Sequence, residues 1–292
     1  MDLDQVLKGV SRSFYLTIRL LPTEMRKPVG IAYLLARASD TVADTEMVSV
    51  TEREDLLRSY REKLSSQKLA ELEIEHFVPF VEDAREQLLM HKLGEIQDNL
   101  ESLSADNQSS VHNLMEKILK GQLWDLTYFP QGRTTTVPDK DKLLEYTYLV
   151  AGSVGEFWTD IGFENFPGYC SDSYSLMWER GRHYGQALQL VNILRDVGKD
   201  ESLGRMYLKP EWEAEMLQLA RQWLDEGLRY CESLGTIRLR TTTALPALLG
   251  HKTLDLLETA APFEKKVGVK VSRSQVYASL GNSFARFLVP PL

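Results

Sequence analysis

Apolar residues recur at intervals of three and four along most of the chain, which is typical of helices that bury one face. The strict alternation that marks half-buried strands, bounded by Asn-Gly or Asp-Gly turns, is nearly absent. The pattern therefore predicts an all-α protein. The predicted helices cover residues 2–18, 25–45, 51–65, 71–100, 107–128, 139–162, 171–200, 211–233, 240–259 and 272–288.

Two of the predicted helices differ from the others because they are apolar around most of their circumference. Residues 31–40 and 185–196 have this character, which is typical of helices at the centre of a bundle. Each carries a narrow polar stripe at helical spacing that ends in two aspartates one turn apart. The first stripe consists of Tyr33, Arg37, Asp40 and Asp44, and the second of Gln189, Asn192, Asp196 and Asp200.

Paired aspartates on a buried helix are costly unless something neutralises them. Aspartate is a poor helix former, like charges four residues apart repel, and burial of an unpaired charge is strongly unfavourable. Magnesium accepts one or two carboxylates together with phosphate oxygens and water. A single such pair usually marks a solvated helix end. Two pairs, each after an apolar helix, favour a divalent-cation site that promotes ionisation of a diphosphate.

Composition excludes several other classes of function. The 292 residues carry a formal net charge of −8, which argues against a nucleic-acid partner because such proteins present a basic face. Cys170 and Cys231 form no CxxC pair, so neither a disulfide framework nor a zinc site is indicated. Asp2 and Asp4 stand where a signal peptide would be basic, and no apolar run of about 18 residues occurs. We therefore expect a cytoplasmic protein without a transmembrane segment.

Four segments, in the order and at the spacing of the family's motifs, resemble the squalene/phytoene synthase family. They are Ser11–Phe14, Tyr33–Asp44, Tyr146–Gly155 and Gln189–Asp200. The likeness runs from about residue 9 to 210 and continues more weakly to the C-terminus. It implies that residues 1–292 form a single catalytic domain with the isoprenoid-synthase fold, a helical bundle around a central cavity. It also implies head-to-head (1′–1) condensation of two identical prenyl diphosphates, with farnesyl diphosphate as the favoured substrate.

The resemblance also assigns roles to individual residues. It implies that Asp40, Asp44, Asp196 and Asp200 hold magnesium, and that Tyr146 acts in the first half-reaction. It implies that the substrate is contacted by Ser11, Ser13, Phe14, Tyr33, Arg37, Gln189, Asn192 and Tyr207, the last on a segment that closes over the site. Phosphate contacts of substrate or cofactor are implied for Arg12, Arg37 and Arg195, because guanidinium forks match phosphate geometry.

Two positions depart from the family pattern. Squalene synthases often carry a third acid inside each motif, where this chain has Ala43 and Lys199. Both end aspartates are kept in each motif, so we expect metal binding to persist, while the number of ions stays open.

The motif Asp-Thr-Val-x-Asp, which begins at Asp40, resembles squalene synthases more than the carotenogenic branch. In that branch a second acid more often follows the first directly.

A basic segment near the C-terminus bears on whether the protein uses a reductant. Lys270 and Arg273 resemble a basic segment that squalene synthases use toward NADPH, although two solvated cations before a terminal helix would look the same. The favoured interpretation is an NADPH-dependent squalene synthase that acts through presqualene diphosphate. The alternatives are an NADPH-independent dehydrosqualene or phytoene synthase, a presqualene diphosphate or hydroxysqualene synthase, and, more remotely, a non-catalytic scaffold. An oily product would also suit peripheral contact with a membrane.

Overall fold

The computed structural model describes residues 3–11, 14–130 and 132–259, except the side chains of Phe14 and Leu16. These residues divide into two compact units. The first unit contains the chain up to Pro130 together with Glu164–Phe166, and the second contains Gln131–Phe163 and the chain from Pro167 onward. The helix predicted over 272–288 lies outside the described residues.

The described part of the first unit is helical. Its helices are α1 (Leu3–Ser11), α2 (Phe14–Leu20), α3 (Thr23–Asp44), α4 (Val50–Ser65), α5 (Ala84–Met90), α6 (Leu93–Glu101) and α7 (Ala105–Tyr128), with single 3₁₀ turns at Leu69–Glu71 and Val78–Phe80. The predictions over 25–45, 51–65 and 107–128 are confirmed within a few residues. The predicted helix over 2–18 corresponds to α1 and α2, with residues 12 and 13 outside the described residues.

Helix α3 lies at the core of the first unit and packs against α4, α5, α6 and α7. It begins after Pro22, and its side chains from Met25 to Val42 are mostly buried, as the all-round apolar pattern predicts. The hydroxyl of Tyr60 on α4 donates to the carbonyl of Leu35 at 3.1 Å, which fixes α4 against α3. The buried setting of α3 sets the environment of the aspartates in its last turns.

The continuous helix predicted over 71–100 was wrong. This stretch instead holds one 3₁₀ turn and the helices α5 and α6. Pro79 lacks an amide hydrogen and cannot donate the hydrogen bond of a helix interior, and it lies in the 3₁₀ turn Val78–Phe80. Asp83 then caps α5, because its side chain accepts from the backbone N–H of Arg85 at 2.9 Å.

The second unit is built from longer helices. They are α8 (Lys140–Thr147), a π-helical turn (Tyr148–Gly152), α9 (Ser153–Asn165, whose last two residues belong to the first unit), α10 (Tyr174–Ser202), α11 (Glu213–Ser233) and α12 (Ile237–Thr259). A 3₁₀ turn covers Pro210–Trp212, and the two-residue strands β1 (Thr135–Thr136) and β2 (Arg205–Met206) pair in parallel. The predictions over 171–200, 211–233 and 240–259 are confirmed within a few residues, whereas the helix predicted over 139–162 contains the π turn.

Helix α10 lies at the core of the second unit and packs against α8, α11, α12 and the π turn. Glycines allow its backbone to approach α9 closely. A Cβ atom on Gly155 would lie 1.8 Å from the carbonyl oxygen of Gly181, so this crossing accepts no side chain. On the other side, the hydroxyl of Tyr184 donates to the carbonyl of Thr243 at 2.7 Å and accepts from the N–H of Ala247 at 2.9 Å. The hydroxyl of Tyr184 thereby bridges two backbone groups of α12 on either side of Pro246.

Across the described ranges, no helix has both the length and the hydropathy needed to cross a membrane.

Candidate active site

The first aspartate pair occupies the last turns of α3. Asp40 is half-buried and Asp44 is exposed at the final residue of the helix. The C-terminal end of a helix carries partial negative charge, so it disfavours carboxylates and favours cations. The last turn of α3 contains no basic residue of its own, but the buried Arg53 of α4 donates from Nη1 to the carbonyl oxygen of Ala43 at 2.5 Å. One cation from a neighbouring helix therefore already lies at this helix end, beside the two acids.

The carboxyl group of Asp40 has a strongly raised pKa. Burial and the neighbouring charge of Asp44 raise its pKa to about 7, against the opposing influence of Gln122 and Arg37. The Nε2 atom of Gln122 donates to Oδ1 of Asp40 at 2.6 Å. A cation bound beside Asp40 would favour the ionised form of this carboxyl group.

Arg37 is held by a carboxylate that sequence reasoning missed. Its Nη2 atom donates to Glu86 on α5, and the other oxygen of Glu86 accepts from Thr41 Oγ1 at 3.1 Å. The Nε atom of Arg37 is buried and has no hydrogen-bond partner. Glu86 was hidden in the sequence, because it lay inside the wrongly predicted helix among many surface-type charges. The Nη2 atom of Arg37 is therefore paired with Glu86, while its Nε atom can still donate to an anion.

The remaining predicted residues of the first unit lie near the start of the chain. The hydroxyl of Tyr33 donates to the carbonyl of Val10 at 3.4 Å, and the buried hydroxyl of Ser11 donates to the carbonyl of Leu7 at 2.5 Å. Both hydrogen bonds tie predicted substrate contacts to α1. Arg12, Ser13 and the side chain of Phe14 lie outside the described residues, so their assignments stay predictions.

The second aspartate pair lies on the last turns of α10. Asp196 and Asp200 are both half-buried, and Asn192 Nδ2 donates to Gln189 Oε1 at 3.4 Å one turn earlier. Arg195 donates two hydrogen bonds to Asp196, from Nε to Oδ1 at 2.8 Å and from Nη2 to Oδ2 at 2.6 Å. Asp196 raises the pKa of Arg195 through these bonds, so the two charges neutralise each other. The predicted polar stripe is thus present on one face of the helix.

Tyr146 and Tyr207 are brought together within the second unit, although 61 residues separate them in the sequence. Their rings stack with centroids 5.3 Å apart and an interplanar angle of 18°. Tyr207 is buried and follows β2, and it lines a small pocket together with Asp200. The turn into β2 passes through Gly204 at φ 76°, where a side chain would be strained. Three predicted site residues therefore meet at the C-terminal end of α10.

Two predicted cofactor contacts, Lys270 and Arg273, lie outside the described residues. Within the described ranges, no three His, Cys, Asp or Glu side chains group closely enough to form a metal site from protein ligands alone. The structure thus shows the predicted residues of each aspartate pair in place, while their role in metal binding stays a prediction.

Comparison with known proteins identifies the family. Residues 7–214 match the family described as squalene/phytoene synthase, and the chain belongs to that family. The family uses prenyl diphosphate substrates. The predicted membership is confirmed.

The curated relatives come from both branches of this family. The bifunctional lycopene cyclase/phytoene synthase of Blakeslea trispora is 30% identical over 290 residues, which is 95% of this chain and 43% of that protein. The squalene synthase of Saccharomyces cerevisiae is 30% identical over 220 residues, or 74% of this chain and 47% of that protein. The chain thus spans less than half the length of these two relatives.

Solved structures confirm the predicted all-α isoprenoid-synthase fold. The squalene synthase TcSQS, solved with a ligand, superposes with a TM-score of 0.78 at 23% identity, covering 98% of this chain and 87% of that one. A dehydrosqualene synthase with a ligand gives a TM-score of 0.63 at 22% identity, covering 98% of this chain and 95% of that one. At these identities the likeness concerns the fold.

Proposed function

We propose that the chain condenses two farnesyl diphosphates head to head, through presqualene diphosphate, to squalene. The observation that carries the proposal is the pair of aspartate stripes. Each central helix, α3 and α10, ends in two aspartates on a polar stripe, and burial raises the pKa of Asp40 to about 7. Family membership supplies the substrate class, a prenyl diphosphate.

The residues at both helix ends fit magnesium. Carboxylate oxygens are the ligands that Mg²⁺ prefers, and two per helix leave room for water and phosphate oxygens. We propose that Asp40 and Asp44 hold magnesium on α3 and that Asp196 and Asp200 do so on α10. The chemistry that magnesium supplies there is neutralisation of charge on a departing diphosphate.

Two arginines are suited to bind the diphosphate itself. In this structure each is neutralised by a nearby carboxylate, Arg37 by Glu86 and Arg195 by Asp196. A guanidinium that exchanges a carboxylate for a phosphate keeps its charge paired throughout. We propose that Arg195 would bind phosphate if Asp196 held a cation, because that carboxylate would then no longer need the guanidinium to balance its charge. Arg37 uses its unpaired Nε for the same purpose.

The aromatic pair at the end of α10 is suited to the carbon chemistry. The face of an aromatic ring stabilises a nearby cation, and buried rings exclude the water that would quench it. Tyr207 is 6% exposed and stacks on Tyr146, so the segment after β2 is already folded over this ring. We propose that Tyr207 excludes water and that Tyr146 acts in the first condensation.

The final step of the proposed reaction consumes a hydride from NADPH. The motif that begins at Asp40 favours this squalene branch, and the similarity to the squalene synthase of Saccharomyces cerevisiae supports it. Lys270 and Arg273 are the proposed contacts of NADPH. We further propose that the apolar product leaves at a membrane surface through peripheral contact.

A second candidate is the NADPH-independent branch, which yields dehydrosqualene or phytoene by loss of a proton. The observation that favours this candidate is the share of the chain that each relative matches. The bifunctional relatives from Phycomyces blakesleeanus and Blakeslea trispora match 97% and 95% of this chain, whereas the Saccharomyces cerevisiae squalene synthase matches 74%. Two further alternatives are a reaction that stops at presqualene diphosphate and one that ends in hydroxysqualene.

A product assay tests the proposal. The purified protein is incubated with Mg²⁺ and either farnesyl or geranylgeranyl diphosphate, with and without NADPH, and the products are identified by mass spectrometry. We expect squalene from farnesyl diphosphate with NADPH, and presqualene diphosphate or dehydrosqualene without it. A product that is indifferent to NADPH would support the second candidate.

The matched control for the assay is Asp40→Asn, which keeps the size of the side chain and removes its charge. We expect no product from this variant and an unchanged helical circular dichroism spectrum. The scaffold alternative would be supported by two results together. The wild-type protein would give no product from either substrate, and magnesium with a thio-diphosphate analogue would not shift its melting temperature.

A further inference from the structure

Gln122 on α7 is the neighbour of Asp40 to which neither the sequence nor the family assigns a role. Its side chain is buried, at 8% exposure, and its Nε2 atom donates to Asp40 Oδ1 at 2.6 Å. With a cation bound, the Asp40 carboxylate would be ionised and could only accept hydrogen bonds, which suits the amide nitrogen that Gln122 presents to it. The amide oxygen, Oε1, is therefore turned away from that carboxylate.

That amide oxygen has no hydrogen-bond partner, although it is buried. A buried acceptor without a donor costs about 1–3 kcal/mol, and native proteins keep few of them. The residues around Gln122 on α7 are apolar and buried, among them Leu119, Leu123 and Leu126. The amide oxygen therefore lies beside apolar side chains of its own helix and has no donor there. The vacant acceptor points to a donor that binds beside Asp40.

We infer that Gln122 is a positioning residue for the cation site at Asp40. Its Nε2 holds one carboxylate oxygen in place, and its Oε1 accepts a hydrogen bond from a water molecule on the ion. Magnesium usually keeps several of its waters in proteins, and these waters are strong donors. The inference rests on the proposed function, because it takes Asp40 to be a magnesium ligand. It adds a residue from a different helix, α7, to the site.

A matched pair of variants separates this role from a structural one. Gln122→Met keeps the length and volume of the side chain and removes both amide groups. Gln97→Met makes the same change at another buried glutamine, which is 3% exposed, accepts from the N–H of Leu69 and lies on α6. Both variants lose buried hydrogen bonds, so both lower stability, but only the first touches Asp40.

The readout is Mn²⁺ affinity, measured from the electron paramagnetic resonance signal of the free ion in the presence of inorganic pyrophosphate. The measurement uses an Asp196→Asn, Asp200→Asn background, so that only the first aspartate pair remains. We expect Gln122→Met to weaken Mn²⁺ binding about 10–100-fold, the usual effect of removing a group that orients a metal ligand. We expect Gln97→Met to leave the affinity within twofold.

A second variant keeps the inference testable if Gln122→Met does not fold. Gln122→Glu retains the shape and places another carboxylate beside Asp40, so we expect Mn²⁺ to raise its melting temperature more than that of the parent protein. Equal Mn²⁺ affinity in Gln122→Met and the parent, or an equal Mn²⁺-induced shift in Gln122→Glu, would overturn the inference alone. An absence of Mn²⁺ binding in the wild-type chain would instead overturn the proposed function, and the inference with it.

Discussion

Arg37 and Glu86 form an ion pair between α3 and α5, 49 residues apart in the sequence. Glu86 also accepts from Thr41, one turn beyond Arg37, so both oxygens of this carboxylate are bound to α3. The Arg37 side chain is 30% exposed and the Glu86 side chain 17%, so the pair is partly shielded from water. Glu86 therefore holds the guanidinium beside Asp40 and competes with any anion that approaches it.

The competition predicts the effect of Glu86→Gln. The glutamine keeps the shape and one hydrogen-bond acceptor but removes the negative charge, which leaves the charge of Arg37 available to a diphosphate. We expect pyrophosphate to bind about three- to tenfold more tightly, which corresponds to about 1 kcal/mol. Isothermal titration calorimetry measures this affinity. Glu95→Gln, which breaks the surface pair of Lys92 and Glu95 on α6, is the control. Weaker or unchanged binding in Glu86→Gln would contradict the competition.

The raised pKa of Asp40 predicts how stability depends on pH in the absence of metal. The unfolded carboxyl ionises near pH 4, whereas the folded one ionises at about 7. Between these values the native state keeps a proton that the unfolded state has released. This carboxyl therefore lowers stability as the pH rises from 4 to 7, and the full penalty remains above 7.

Asp40→Asn removes that penalty. In EDTA at pH 8 we expect the variant to be more stable than the wild type by about 1–3 kcal/mol, and we expect the difference to vanish near pH 4. Thermal melts followed by circular dichroism at several pH values measure it. Added Mg²⁺ and a diphosphate analogue should raise the melting temperature of the wild type and not that of the variant. A variant less stable than the wild type at pH 8 would show that Asp40 is already stabilised without a cation.

The contact between Tyr146 and Tyr207 predicts a loss of water exclusion in Tyr207→Ala. Removal of the ring uncovers Tyr146 and opens the pocket beside Asp200. We expect the fraction of farnesyl diphosphate lost as farnesol to rise about tenfold, because water reaches the allylic cation. Tyr207→Phe keeps the ring and should behave like the wild type. Gas chromatography of both products gives the ratio, and the same low farnesol fraction in all three proteins would remove this role from Tyr207.

Tyr146→Phe separates the two half-reactions. The phenylalanine keeps the ring that stacks on Tyr207 and removes the hydroxyl, and thermal melts of the variant and the wild type measure any change in stability. We expect the condensation of farnesyl diphosphate to slow about 10²-fold, in the range of a lost proton-transfer group, while conversion of added presqualene diphosphate stays near the wild-type rate. Quenched-flow assays with each substrate measure the two rates. A larger effect on presqualene diphosphate would place Tyr146 in the second step.

The central helices and their aspartates could be predicted because the signals are local. Spacing of three and four fixes which side chains share a face, so Asp40 and Asp44 on α3, and Asp196 and Asp200 on α10, follow from the sequence alone. The end of α3 at Asp44 lies within one residue of the predicted end.

The partners of these stripes could not be predicted, because tertiary packing brings them in from other helices. Gln122 looked like one polar residue in an apolar helix, and Glu86 looked like one surface charge among many. Their neighbours in space, Asp40 and Arg37, are 82 and 49 residues away in the sequence. The contact of Tyr146 with Tyr207 is likewise tertiary, and β2, which precedes Tyr207, is a two-residue strand too short to leave a periodic signal.

The central claim is that both aspartate pairs bind divalent cations that engage a prenyl diphosphate. The most direct test is anomalous diffraction from crystals grown with Mn²⁺ and a farnesyl thio-diphosphate. The account predicts manganese peaks about 2.0–2.2 Å from carboxylate oxygens of Asp40 or Asp44 and of Asp196 or Asp200, each also bound to the diphosphate. Manganese confined to other residues, or a diphosphate held without contact to either aspartate pair, would contradict it.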